Sequence, residues 1–298
     1  MTGILTFLFG PFAGFGFMRM ALAACIALAL AGGPIGILLL LRRMSLDGDV
    51  LSHAVMPGAA LGFLYAGYSL AALSAGGILS GLLVAFLTHA VVRVFPRRRD
   101  GALAAFYVIS LAFGVTIIAL RGSNLDVMHV LFGTVLAVDS GSLILICVIC
   151  SATMLGVATI YRPLSVGTFD PVFLRAVDGR VLFETIFLVL VVLTLVASFQ
   201  AFGTLLAIGP LLLPATAARC WTQRVGPGIA LAVLFGVVAD FAGLLLSYYA
   251  ICRPDPRSSL PPAPCTPFRS SVPASSNGPR SQPDTAPMHP ASFPMSSN

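Results

Sequence analysis

Two side chains at the start of a short apolar stretch have the types and spacing of a metal-binding pair. They are Asp49 and His53, in the run RRMSLDGDVLSHAVMPG. Residues four apart project from one face of a helix, so a carboxylate oxygen and an imidazole nitrogen can bind the same cation. This donor set suits Zn or Mn better than Ca or Mg, which prefer oxygen alone. A capping acid and an interfacial histidine would give the same pattern, and the spacing alone leaves both interpretations open.

Other ionisable residues are weaker candidates for metal ligands. Asp47 precedes the pair by two positions. Asp126 and His129 are three apart and can share a helix face, although an exposed loop pair is the favoured interpretation. Asp240 lies within an apolar stretch, where a charge is costly, and we expect it to face a partner or a water-filled path.

The composition around these residues is that of a membrane protein. Of 298 residues, 58% are hydrophobic and 9% are charged, against about 25% charged residues in ordinary globular domains. Apolar stretches of about 20 residues, the length that crosses a bilayer core of roughly 30 Å, recur through residues 1–250. An ordinary cytosolic enzyme is excluded. We predict an all-α, polytopic helical protein of the cell membrane.

The apolar pattern predicts about eight transmembrane spans. They lie near residues 18–41, 54–69, 71–95, 101–120, 142–160, 181–200, 203–218 and 227–249. The second and seventh are short and contain Pro57, Pro210 and Pro214, which favours broken or re-entrant helices. If the chain alternates sides, eleven arginines of the connections fall on one side and two on the other, which identifies the first side as cytoplasmic.

Two segments have features of a transport path or a docking surface. In FQAFGTLLAIGPLLLPATAARC (199–220), Gly203, Pro210 and Pro214 interrupt an apolar stretch. They can free carbonyl groups toward a cavity, and a tightly packed helix pair explains them equally. In the connection 161–180, Asp170 and Pro171 are typical of a helix start. That short helix is either a plain amphipathic element or a docking element.

The cation set limits the chemistry that this chain performs by itself. All 17 cationic residues are Arg, and the phosphate-binding loop of a nucleotide hydrolase needs a Lys. Any ATP must therefore be hydrolysed by a partner subunit, and the chain is not itself an enzyme. The sequence has no H-E-x-x-H motif, which argues against an intramembrane metalloprotease. A secondary transporter would be supported by inverted repeats, and no convincing internal repeat is present.

Four segments, in order, resemble the membrane subunits of manganese, zinc and iron ABC importers, the metal ABC transporter permease family. They are LRRMSLDGDVLSHAVMPGAALGFL (41–64), DVMHVLFGTVLAV (126–138), LSVGTFDPVFLRAV (164–177) and FQAFGTLLAIGPLLLPATAAR (199–219). The resemblance covers essentially residues 1–250. It implies a type II ABC importer-like permease that pairs as a homodimer or with a paralogous permease. It also implies an ABC ATPase subunit and an extracytoplasmic metal-binding protein as partners, with Zn, Mn or Fe as cargo, no resident cofactor and no nucleic acid.

The same resemblance implies roles for individual residues. Asp49 and His53 would contact the metal in the translocation path. The segment 164–177 would couple the permease to the ATPase through Ser165, Phe169, Asp170, Pro171 and Arg175. In this family the span after the basic loop often opens with an acidic pair, whereas RRRDGALAAF offers only Asp100, with Arg99 beside it. Asp100 is therefore a weaker ligand candidate.

The end of the chain departs from the family pattern. Residues 251–298 contain 12 of the 21 prolines and ten serines, a composition that predicts a disordered tail after a permease domain of residues 1–250. Codons permitted by residues 250–259 can, in another frame, encode Asp-Leu-Pro-Ser-Gly-Pro-Ala-Ile-Val. The family has a similar turn before its last span. We therefore hypothesise that the tail is a frameshifted replacement of that span.

One alternative keeps the same machine and changes its cargo. A related ABC permease for a metal chelate or a vitamin would share the fold. Its path would not require Asp49 and His53 as metal ligands.

Overall fold

The computed structural model describes residues 15–66, 69–94, 99–121, 139–169 and 180–251. Within these ranges all regular structure is helical, which confirms the predicted all-α fold. In chain order the helices are α1 (Gly16–Leu41), α2 (Ser45–Ala66), α3 (Leu70–Val94), α4 (Arg99–Arg121), α5 (Ser140–Phe169), α6 (Arg180–Leu206), α7 (Gly209–Trp221) and α8 (Val225–Ile251). Apart from Ile251, the predicted tail lies outside the described residues.

Six of these helices, α1, α3, α4, α5, α6 and α8, are long and apolar enough to cross a membrane. The two others, α2 and α7, correspond to the second and seventh predicted stretches, which were expected to be unusual. Helix α7 has 13 residues and reaches about 20 Å at 1.5 Å per residue, less than the bilayer core. Helix α2 carries Asp47 and Asp49 near its start. The predicted polytopic membrane architecture is confirmed.

Helix α2 lies at the centre of one group of helices. It packs against α3, α4 and α6, while α1 packs against α5, α6, α7 and α8. Helix α6 therefore contacts both groups. Residues 50–60 of α2 are all buried, as expected for a helix covered on every side by protein. Any ionisable side chain on this part of α2 is held in a packed environment.

Helices α2 and α3 form a closely packed antiparallel pair. The Ser80 hydroxyl donates a hydrogen bond to the carbonyl oxygen of Ala54 at 2.8 Å. One turn away, Gly58 and Gly76 face each other, and a Cβ on Gly58 would lie 2.0 Å from the Gly76 oxygen. Only a residue without a side chain permits this approach. The two backbones are thus in direct contact.

Helix α4 runs parallel to α2 along a second seam. Met56 of α2 lies against Gly114 of α4, where a Cβ would stand 2.9 Å from the methionine Cγ. Further along, Ala60 packs in one cluster with Met56 and Ile117. Contacts on both α3 and α4 therefore fix the position of α2 along its length.

Two helices extend beyond the predicted apolar stretches. Helix α2 begins at Ser45, well before the stretch predicted from residue 54, so the whole ionisable run is helical. Helix α5 continues to Phe169, past the predicted end near residue 160. A helix satisfies its backbone by its own hydrogen bonds, so it need not end where the apolar residues do. The short helix predicted after Asp170 lies outside the described residues.

The segment predicted as the seventh span is interrupted at Gly203. This residue has φ 75° and ψ 177° inside α6, a conformation that favours glycine. Pro210 lies in the first turn of α7 and Pro214 inside that helix, the former at a position where the missing N–H costs little. Helix α7 then packs closely on α1, because a Cβ on Gly36 would lie 2.1 Å from the Leu211 oxygen. Tight helix packing thus accounts for part of this pattern.

Candidate metal site

The structure brings Asp49 and His53 together on α2. Their spacing of four residues stacks the side chains on one face, with 3.9 Å between Asp49 Oδ1 and His53 Nε2. The Ser52 hydroxyl donates to the Asp49 carbonyl oxygen at 2.7 Å, within the same turn. The helical start at Ser45 is therefore what creates this carboxylate–imidazole pair.

The imidazole of His53 is held in place by its surroundings. The residue is 4% exposed, and its ring meets the ring of Tyr107 from α4 edge to face, with centroids 4.6 Å apart. Its Nδ1 is buried and has no hydrogen-bond partner within the described part of the chain. Because buried polar atoms are nearly always satisfied, this ring has unused capacity for a ligand.

Asp49 is the open side of the pair. Its side chain is 46% exposed, whereas that of His53 is 6% exposed. A cation can therefore approach the carboxylate from outside this chain and then contact the imidazole behind it. The arrangement provides one negatively charged oxygen and one neutral nitrogen, the donor types that borderline divalent metals accept.

Asp47 has a different environment from Asp49, although only two residues separate them. Successive helix positions turn by about 100°, so Asp47 faces roughly away from Asp49. Its carboxylate is 6% exposed and forms an ion pair with the guanidinium of Arg99 at the start of α4. Arg99, rather than a metal site on the Asp49 face, occupies the Asp47 carboxylate.

A small polar region adjoins this ion pair at the same end of the helices. A cavity of about 40 Å³ is lined by Asp47, Thr88, His89 and Arg99 among others, enough for about one water molecule. The Thr88 hydroxyl oxygen is buried there, and His89 Nε2 of α3 lies 3.9 Å from Glu184 Oε2 of α6. Charged and polar groups of four helices thus meet beside the start of α2.

The remaining predicted ligands in the described residues lie apart from the Asp49–His53 pair. Asp100 is exposed in the first turn of α4, where an acid complements the helix dipole. Asp240 is on α8, and its Oδ2 is buried without a hydrogen-bond partner in the described ranges. No group of three or more His, Cys, Asp or Glu residues in the described part could hold a metal.

Several other predicted residues lie where the structure gives no side-chain description. Asp126 and His129 are outside the described residues, as are Asp170, Pro171 and Arg175. Ser165 and Phe169 belong to the last turns of α5. The metal and coupling roles predicted for these residues stay predictions.

Two contacts of the site were not found from the sequence. Arg99 was noted only as a departure beside Asp100, and its pairing with Asp47 spans 52 positions. Tyr107 was not singled out, although it lies two turns after Arg99 on the same helix. A periodicity of 3.6 places residues on helix faces but does not say which helices meet. The parallel packing of α2 and α4 supplies that information.

The chain is similar to proteins of one transport family. The family model described as the ABC 3 transport family matches residues 14–256. The manganese transport system membrane protein MntC of Halalkalibacterium halodurans is 32% identical over 245 residues, covering 82% of this chain and 82% of that protein. The manganese import system permease protein ScaB of Streptococcus parasanguinis is 32% identical over 235 residues, covering 78% of this chain and 82% of that protein.

Solved structures agree with this assignment. The structure titled PsaBC from Streptococcus pneumoniae in complex with Fab matches with a TM-score of 0.74 and 30% identity, covering 83% of this chain and 88% of that chain. A second structure, an inward-facing conformation of a putative metal-chelate type ABC transporter, matches with a TM-score of 0.54 and 18% identity, which shows the fold alone. It covers 82% of this chain and 79% of that chain. The extent of the family match and the identity to its relatives show that this multi-pass membrane protein belongs to the ABC 3 transport family.

Proposed function

We propose that this chain is the permease subunit of an ATP-driven importer of divalent metal ions, with Mn²⁺ the first cargo to test. The observation that carries the proposal is the Asp49–His53 pair on the buried helix α2. The names of the similar proteins, manganese transport and import membrane proteins, support Mn²⁺ ahead of Zn²⁺ or Fe²⁺.

The geometry of the pair is compatible with a transported ion. Oxygen and nitrogen ligands lie roughly 2.0–2.2 Å from a metal such as zinc, so two donors on one ion are separated by roughly 3 to 3.5 Å. The Asp49 and His53 donors are 3.9 Å apart. A side-chain rotation of well under 1 Å at the donor atoms closes this difference, and α2 does not have to move.

Two protein ligands make a weak, open site, which is what transport requires. A site must bind an ion well enough to accept it and weakly enough to release it. With one carboxylate and one imidazole, the other coordination positions belong to water or to groups of a second permease subunit. The half-exposed Asp49 carboxylate is accessible to both. We propose a homodimer, or a pair with a paralogous permease.

The other subunits of the machine follow from what the chain lacks and from its resemblance. A sequence without Lys has no phosphate-binding loop of the usual kind, so we propose a separate ABC ATPase subunit that hydrolyses ATP. An extracytoplasmic binding protein would deliver the metal. The segment 164–177, with Ser165, Phe169, Asp170, Pro171 and Arg175, is the proposed contact with the ATPase.

The test is radiometal uptake in cells that lack their own importer. This chain is coexpressed with the ATPase and the binding protein encoded beside it, and uptake of Mn²⁺, Zn²⁺ and Fe²⁺ is compared. We expect ATP-dependent uptake that is abolished by Asp49→Asn and by His53→Ala. Asp139→Asn is the matched carboxylate control, because Asp139 is exposed and caps α5 through the Ser142 N–H at 2.9 Å. Asn caps a helix about as well as Asp.

The alternatives give different results in the same assay. Uptake of a metal chelate or a vitamin that tolerates both substitutions would indicate a related ABC permease with another cargo. Metal uptake that persists without the ATPase subunit would indicate a secondary transporter.

A further inference from the structure

We propose that Asp47 and Arg99 are positioning residues, whose ion pair holds α2 in register with α4 and thereby sets the geometry of the Asp49–His53 site. This inference rests on the proposed function, because the site it serves is the proposed metal site. It assigns to Asp47 a role other than that of a metal ligand.

The burial of the pair is the first observation in its favour. Asp47 is 6% exposed, and the side chain of Arg99 is 35% exposed. A buried carboxylate must be paired to stay ionised. The guanidinium of Arg99 supplies the charge and the hydrogen-bond donor to Asp47 Oδ2. The start of α2 is therefore tied to the start of α4 by a charge-assisted hydrogen bond.

The position of Arg99 on its own helix is the second observation. Arg99 is the first residue of α4, and a cation at a helix N-terminus opposes the helix dipole. Within α4 this arginine is unfavourable, and its neighbour Asp100 already provides the acid that the first turn favours. The compensating interaction is the one across to Asp47, on another helix.

The third observation is a second contact between the same two helices at the metal site itself. Tyr107 lies eight positions after Arg99 and packs on His53, six positions after Asp47. Because α2 and α4 run parallel, the ion pair and the ring contact are two points of one seam. A shift of α2 along α4 would break the ion pair and move the His53 ring away from Tyr107.

The experiment measures Mn²⁺ affinity of the purified transporter complex in lipid nanodiscs, together with its apparent melting temperature. Loss of a residue that orients metal ligands typically lowers metal affinity by about 10- to 100-fold. We expect at least a tenfold loss in both Arg99→Gln and Asp47→Asn. Arg99→Lys keeps the charge and should bind closer to wild type than Arg99→Gln does.

A structural control separates positioning from loss of stability. Ile146 is fully buried in a cluster formed by α1, α5 and α6, and Ile146→Ala should lower the melting temperature without changing Mn²⁺ affinity. If Ile146→Ala weakens binding as much as Arg99→Gln does at an equal melting temperature, general destabilisation explains the effect and the proposal is overturned.

The remaining outcomes distinguish this inference from the proposed function. Unchanged or tighter Mn²⁺ binding in Arg99→Gln, with binding abolished by His53→Ala, would leave the metal site standing and overturn the positioning role. Tighter binding would mean that the released Asp47 acts as a ligand. If wild type binds no Mn²⁺, or His53→Ala binds it normally, the proposed metal function fails and the positioning role with it.

Discussion

Gly58→Ala tests the closeness of α2 and α3, on which the placement of the metal site depends. A Cβ on Gly58 would lie 2.0 Å from the backbone oxygen of Gly76 and 2.2 Å from the Ser80 hydroxyl oxygen. The hydroxyl can rotate, but it would then lose its hydrogen bond to Ala54. The Gly76 oxygen belongs to a helix backbone and cannot turn aside.

The expected cost can be worked from these distances. Since Cβ contacts shorter than 3.0 Å are essentially never observed, the helices must separate by about 1 Å at Gly58. Overpacking of this kind costs about 1–3 kcal/mol, only partly offset by the higher helix propensity of Ala, about 1 kcal/mol over Gly. For a chain of this size about 2–4 °C of melting temperature corresponds to each kcal/mol. A net cost of about 1–2 kcal/mol gives a fall of roughly 2–8 °C.

The assay is the apparent melting temperature in detergent, with metal uptake measured in parallel. Uptake should fall as well, because the displaced helix carries Asp49 and His53. Gly243→Ala is the matched control, since a Cβ on this residue of α8 meets nothing within 4 Å. It should melt at the wild-type temperature or slightly above. If Gly58→Ala behaves like Gly243→Ala in both measurements, the close contact between α2 and α3 is refuted.

Three further predictions concern the core, the α2–α3 pair and the end of the chain. Phe187 is fully buried, so Phe187→Ala should cost about 3–5 kcal/mol, and an unchanged melting temperature would contradict the described core. Ser80→Ala removes the hydrogen bond to Ala54 and should cost about 0.5–1.5 kcal/mol. Ser74→Ala should cost less, because the Ser74 hydroxyl donates within its own helix, and equal losses would count against a role for the bond between helices. For residues 251–298, resequencing codons 245–260 should reveal the alternative frame, and placing the tail in that frame should raise uptake. The stated frame, confirmed and transporting normally, would refute the frameshift hypothesis.

Much of the fold could be predicted because hydrophobicity alone carries it. Apolar stretches separated by polar breaks predicted the helices in their order, and the prolines marked α2 and α7 as different from ordinary spans. The i, i+4 spacing predicted that Asp49 and His53 share a face, since this depends only on local helix geometry.

What could not be predicted depends on which helices meet. The ion pair of Asp47 with Arg99 and the contact of His53 with Tyr107 both require α4 to lie parallel to α2. The Gly58–Gly76 contact likewise needs the register of α2 against α3. A single sequence specifies faces and lengths, whereas registers between helices result from the packing of many side chains together. Helix ends were also missed where a helix continues beyond its apolar residues, as α5 does to Phe169.

The most direct measurement is electron paramagnetic resonance of Mn²⁺ bound to the purified complex, read for coupling to a histidine nitrogen. We expect nitrogen coupling in the wild type and in Asp139→Asn, and none in His53→Ala. Asp49→Asn should weaken Mn²⁺ binding while any bound ion keeps the nitrogen signal. An unchanged nitrogen signal in His53→Ala would contradict the assignment of Asp49 and His53 as the metal-binding pair.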